Sequence, residues 1–146
     1  MKSPTRLMKF IGKFGEHLAL SRLLEHSIEA YPAIKVNQDS YDLTAIDTSG
    51  KAIRIQVKAT ELHNRSTNNA IGTLEGEFDF LVVVVVLGEH LTKCFVLTRV
   101  EALEIKGPSK SLGISRIENE VPVIKESFLP YEEKWNKIGV TDLSGR

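Results

Sequence analysis

Tyr41-Asp42-Leu43-Thr44-Ala45-Ile46-Asp47-Thr48-Ser49-Gly50-Lys51-Ala52-Ile53-Arg54-Ile55-Gln56-Val57-Lys58-Ala59-Thr60 reads as two strands joined by a tight turn. The second half alternates cleanly. Ile53, Ile55, Val57 and Ala59 point one way and Arg54, Gln56 and Lys58 the other. The first half alternates too, with Tyr41, Leu43 and Ala45 opposed to Asp42 and Thr44. Asp47-Thr48-Ser49-Gly50-Lys51 suits a three-residue loop with Gly50 at positive φ, where glycine alone carries no steric cost. Pairing Asp47 with Lys51 sets Thr44 opposite Arg54 and Asp42 opposite Gln56. Facing side chains have Cβ atoms roughly 4.5–5.5 Å apart, and Lys58 follows two residues on, roughly 7 Å along the same face. The spacing therefore predicts a carboxylate, a carboxamide and an amine gathered on a wet face, with an apolar face buried behind them. On residue types alone, a plain solvent-facing strand with a weak Asp–Lys pair remains the competing account.

These residues resemble the PD-(D/E)XK nuclease superfamily, whose fold is restriction-endonuclease-like. Asp42 matches the strand-end Asp of that pattern. Gln56-Val57-Lys58 matches its second element with Gln in place of Glu, a variant found in some restriction-type branches. Tyr41 stands where the pattern has proline. Glu16, in Gly12-Lys13-Phe14-Gly15-Glu16, matches the Glu that the superfamily often adds on its first helix. The resemblance covers roughly residues 9–97. It implies a three-layer α/β domain with a central mixed sheet flanked by helices. It also implies a divalent cation, Mg²⁺ with Mn²⁺ possible, held by Asp42, the Gln56 side-chain oxygen and the Val57 carbonyl. Glu16 would act directly or through water, and Lys58 would orient the attacking water or stabilise developing charge. The activity implied is DNA endonuclease, of the restriction or recombination and repair type, on double-stranded or branched DNA. A homodimer is expected, since one small site cuts one strand. Gln56 also removes a negative charge beside the metal, so a non-catalytic nuclease-fold module binding nucleic acid or a partner protein stands as the alternative.

Upstream, Ser3-Pro4 suits a helix start, with Ser3 as cap and Pro4 in the first turn. Leu7, Ile11, Phe14 and Leu18 form a helical stripe expected to face the core. Arg6, Lys9, Lys13 and Glu16 share another face. Lys9 and Lys13 form either a solvated face or a phosphate track. Glu16 also neighbours Ala19, Leu20 and Leu23, where a carboxylate needs a partner: a lysine or a cation. Tyr31-Pro32 is expected to close the helical region, and Ala33–Val36 to be a short strand.

Downstream, residues 61–79 lack an apolar period and read as a long loop, of a length usually functional or disordered. Its Asn64, Arg65, Ser66, Asn68 and Asn69 could donate to phosphates and bases; His63 is read as a solvated loop residue, with a proton shuttle or DNA contact as the alternatives. Phe80–Leu87 is apolar throughout, as strands buried on both faces are. Leu91–Leu97 should return antiparallel to it, and Thr98 should cap a helix to Ile105. Residues 111–126 alternate weakly, as an edge strand or extended segment. Pro130 should open a last helix ending at Gly139, with Trp135 as a core anchor.

A chain of 146 residues fits one domain. Zero formal net charge denies it the global basic character of many nucleic-acid binders, so any phosphate-binding surface must be local. Cys94 stands alone in the sequence, which excludes an internal disulfide and suits a small buried hydrophobe. With no signal-type apolar segment and no apolar run long enough to span a bilayer, the cytoplasm is the expected compartment.

Overall fold

The computed structural model describes residues 8–33, 41–62, 70–71, 74, 76–88 and 90–139. The expected Ser3-Pro4 cap, Arg6, Leu7, His63 and the loop donors Asn64 and Arg65 lie outside these residues. So do residues 34–36.

A five-stranded mixed sheet runs in chain order, β1 (Glu29–Pro32), β2 (Leu43–Ile46), β3 (Ala52–Glu61), β4 (Phe80–Gly88) and β5 (Leu91–Thr98). Only β3 and β4 are parallel; every other neighbouring pair is antiparallel. The β2–β3 register is the one the turn predicts, with Thr44 opposite Arg54 and Leu43 opposite Ile55. Gly50 takes φ +88, and its N–H bonds the Asp47 carbonyl at 2.9 Å. The Asp47 carboxylate fixes the same turn by accepting from the backbone N–H of Ser49 and of Lys51, each at 2.9 Å.

Helix α1 (Ile11–Glu25) covers one face of the sheet. Its apolar residues are spread around the axis, and Gly15, Ala19 and Leu23 make the buried line. Phe14 and Leu18, expected to lead the core, pack only partly buried beside it. Small side chains win because they let the helix come close. A Cβ on Gly15 would lie 2.8 Å from the Ala59 Cβ. The helix also stops earlier than Tyr31-Pro32. Ser27 takes φ +62, which ends the helical run and turns the chain into β1. A strand forms at Glu29–Pro32, just before the expected Ala33–Val36, of which only Ala33 is among the described residues, and Pro32 is tolerated because β1 is an edge.

The second face is buried as well, beneath α2 (Arg99–Lys106) and the segments carrying Ile71, Leu74, Phe78, Leu112, Ile114 and Phe128. That is why β4 alternates between two cores: Phe80, Val82 and Val84 meet α1, and Leu81, Val83 and Val85 meet the other layer. Thr98 caps α2 in a reciprocal box with Glu101. Residues 111–126 do not add an edge strand. Ser115–Glu118 (β6) and Val121–Ile124 (β7) form their own two-stranded sheet. The last helix is also broken. A tight 3₁₀ turn (Glu126–Tyr131) contains Pro130, Glu133 takes φ +55, and a single α-helical turn, α3 (Asn136–Gly139), follows. Trp135 is fully buried against α1's core, as an anchor should be. Burial pushes the Cys94 thiol up to about 12, so it behaves as a core hydrophobe. Among the described residues no helix is long and apolar enough to cross a membrane.

Candidate active site

Gln56 and Lys58 project from β3 on the side away from Ile55 and Val57, next to Leu81 and Val83 of β4. The sequence expects this face to be wet. Instead the second core layer covers much of it, and Gln56 is only 7% exposed. Its Oε1 is shut off from solvent and has no hydrogen-bond partner among the described residues. An unpaired buried carbonyl oxygen costs about 1–3 kcal/mol, so a solvated strand surface does not describe this position.

Asp42 does not sit squarely opposite Gln56. The β2–β3 ladder ends at Leu43–Ile55. One residue earlier the Asp42 N–H reaches the Ile55 carbonyl at 2.8 Å, a step off the regular register. The Asp42 Oδ2 then accepts the Val57 N–H at 2.8 Å. This kink carries the carboxyl past the strand end, where it meets groups from both sides of the sheet. Burial pushes the Asp42 pKa up, the Val57 N–H pulls it down, and the nearby Glu16 carboxylate raises it again. Lys58 acts in the lowering direction, and a hydrogen bond with Glu16 adds to the rise. Two carboxyl groups therefore act on each other in a partly desolvated place, within the field of one ammonium.

Helix α1 delivers Glu16 because its neighbour Gly15 is pressed against β3. Glu16 has a second partner, the Lys13 ammonium at 3.2 Å. Of the two partners expected for Glu16, a lysine or a cation, the structure shows the lysine. Lys13 remains 70% exposed. Lys9 lies over the exposed Phe10 ring, 5.7 Å from its centroid. The stretch before β4 is clamped by Arg54. The Arg54 N–H bonds Asp79 Oδ2 at 2.8 Å, its guanidinium pairs with Asp79 and Glu77, and the Asp79 N–H returns to the Arg54 carbonyl at 2.8 Å. Sequence reasoning missed the Val57 N–H as the group that holds Asp42. It also missed His17, which lines a small cavity beside Glu16.

Among the described residues no three His, Cys, Asp or Glu side chains gather into a metal cage. Asp42 and Glu16 lie near each other, and on β3 the Gln56 amide oxygen has no partner among the described residues. Oxygen donors of this kind suit a hard cation that keeps several waters, as Mg²⁺ does.

The fold is a mixed α/β domain built on a five-stranded sheet. The chain superposes on the solved structure of a bacterial homing endonuclease, I-Ssp6803I, with a TM-score of 0.61 and 22% identity, covering 87% of this chain and 88% of that one. No family model matches the sequence, and no curated protein does.

Proposed function

We propose that this chain is a divalent-metal-dependent DNA endonuclease of the PD-(D/E)XK type with a Gln-x-Lys second element. The observation that carries the proposal is the Gln56 Oε1, buried with no partner among the described residues, two residues from Lys58 on a strand whose neighbour begins after Asp42, the acid that Glu16 of α1 acts on. The fold shared with a homing endonuclease supports the same reading. Asp42, Gln56 and the Val57 carbonyl would hold Mg²⁺ or Mn²⁺, and Glu16 would add charge from the helix side. When bound, the metal supplies an activated water and neutralises charge on the phosphoryl oxygens. The chain does the rest. The Val57 N–H fixes the Asp42 carboxylate in one rotamer. The Lys58 ammonium, already in the field of Asp42, faces the charge that builds on the reacting phosphate. The second core layer keeps bulk water off Gln56, which strengthens each of these interactions. The substrate is duplex or branched DNA, and a homodimer supplies two sites for two strands.

Incubation of purified protein with plasmid and Mg²⁺ or Mn²⁺ tests this. Wild type should nick or linearise DNA, and Lys58→Ala should lose roughly 10²–10³ in rate, as removal of one preorganised electrostatic group does elsewhere. No cleavage of any DNA form, or equal cleavage by Lys58→Ala, overturns it. Gln56 in place of an acid, with zero net charge overall, favours one other reading, a binding module on the same fold. DNA binding without cleavage, and without Asp42-dependent Mn²⁺ binding, would select that one.

A further inference from the structure

A cavity of about 70 Å³ opens between α1 and the β1–β2 pair, lined by Lys13, Glu16, His17, Leu20, Pro32 and Leu43. We infer that it is a subsite for the DNA backbone phosphate next to the scissile one, filled in concert with the metal. The inference rests on the nuclease reading above.

Size sets the first limit. An enclosed cavity of roughly 150 Å³ accepts a benzene ring; this open one, at about 70 Å³, suits a phosphate better than a nucleobase. Chemistry sets the second. Lys13 and His17 stand one helical turn apart, which places their side chains side by side. The ammonium and the imidazole N–H are both donors suited to phosphate oxygens. Leu20, Pro32 and Leu43 give an apolar floor that fits the C–H face of a deoxyribose. Position sets the third. Leu43 directly follows Asp42, and Glu16 lines the cavity while lying near enough to Asp42 to raise its pKa. A group seated here therefore abuts the proposed reacting centre.

One feature opposes an anion, the Glu16 carboxylate, and the structure shows how it is handled. In the free protein Glu16 holds Lys13 at 3.2 Å. An exposed pair of this kind is weak, so its partners exchange readily. A cation on Asp42 and Glu16 takes up the Glu16 charge and frees Lys13 for phosphate. Metal and phosphate then bind with positive coupling, and the coupling must be reciprocal.

Affinity for a short duplex, measured against salt with and without Ca²⁺, tests this in wild type, Lys13→Gln, His17→Ala and Asp42→Asn. Lys13 and His17 are both exposed, so neither variant threatens the fold. Wild type should bind more tightly with Ca²⁺. Lys13→Gln should lose roughly tenfold in Ca²⁺ and less without it, and its salt slope in Ca²⁺ should fall by about one. His17→Ala should lose several-fold in Ca²⁺ only. If both variants keep wild-type affinity and slope in Ca²⁺ while Asp42→Asn abolishes the Ca²⁺ effect, the subsite is wrong and the nuclease reading survives. If wild type shows neither a Ca²⁺ effect nor cleavage, both fall together.

Discussion

β2–β3 and β6–β7 are both tightly turned antiparallel hairpins whose ladders hold four facing pairs. Both follow local rules. The first turns on Gly50 at φ +88, the second on Asn119 and Glu120 at φ +52 and +66, the left-handed pair that a two-residue turn of primed type requires. What differs is the company each keeps. β2–β3 lies between β1 and β4 under two core layers, while β6–β7 gains no third strand and leaves Ile117 and Val121 exposed. The same polar residue types then behave oppositely. In the first hairpin burial pushes the Asp42 pKa up. Beside the second, the Arg116 guanidinium, aided by a backbone hydrogen bond, draws the Glu126 carboxyl down to about 2. A ribbon becomes a candidate for chemistry when its neighbours desolvate its acids, and stays a surface when its acids are answered by an exposed cation.

The largest expected effect breaks the comparison at Asp42. Asp42→Asn should cut cleavage by at least about 10², by the same reasoning as for Lys58, while the folded state becomes more resistant to urea at pH 7. The sign follows from linkage. The folded pKa of Asp42 lies above its ordinary 3.8. The fold therefore favours the protonated acid. That contribution is fully present below about pH 3.8 and is lost as pH rises through the raised folded value. Asparagine cannot ionise and can still accept the Val57 N–H. Urea midpoints of both proteins between pH 3 and 7 check this. A variant that unfolds earlier than wild type at pH 7 would show that the carboxylate stabilises the fold, which contradicts a site held at the expense of stability. Next in size is the turn. Asp47 is buried, and its Oδ1 accepts from the Ser49 N–H, the Ser49 hydroxyl and the Lys51 N–H. Asp47→Ala should cost about 1–3 kcal/mol of stability by stranding those donors. Cleavage per folded molecule should remain if the turn sets register only through folding. A loss of specific activity at full folding would tie the turn directly to the site.

The sequence carries the first hairpin well because its information is local: alternation, a glycine at one turn position, and an acid able to take neighbouring N–H groups. The same holds for the doubly buried β4, the return of β5 and the Thr98–Glu101 box. The failures are non-local or lack a sequence mark. Beyond the end of α1 the chain turns on a serine, Ser27, in a left-handed conformation, which no composition rule flags. The buried line of α1 follows Gly15 and Ala19, chosen by closeness to β3 and not by hydrophobicity. The continuous helix expected from Pro130 to Gly139 fails at Glu133, again at positive φ. At the candidate site the residue types and their strand were readable. The burial of Gln56 was not, because the layer that covers it comes from segments 71–78 and 112–128, far along the chain. Nor could alternation announce that Asp42 leaves the ladder one residue early to meet Glu16.

The smallest expected effect sharpens the other side of the comparison. Arg116 bonds Glu118 at 2.9 Å and pairs with Glu126. All three side chains are open to water, where such pairs contribute little. Yet the direction at Glu126 is definite. Its folded pKa of about 2 lies below the ordinary 4.5. Its contribution is therefore present above about pH 4.5 and is lost as pH falls through about 2. Arg116→Ala should remove that slice of the acid dependence of the urea midpoint and leave the neutral-pH midpoint nearly unmoved. The difference between the two proteins should vanish in about 1 M salt, where the screening length is roughly 3 Å. A difference that survives such salt would mean that the β6–β7 cluster is shielded by something packed over it, and this hairpin would then be as sheltered as the one that carries Asp42.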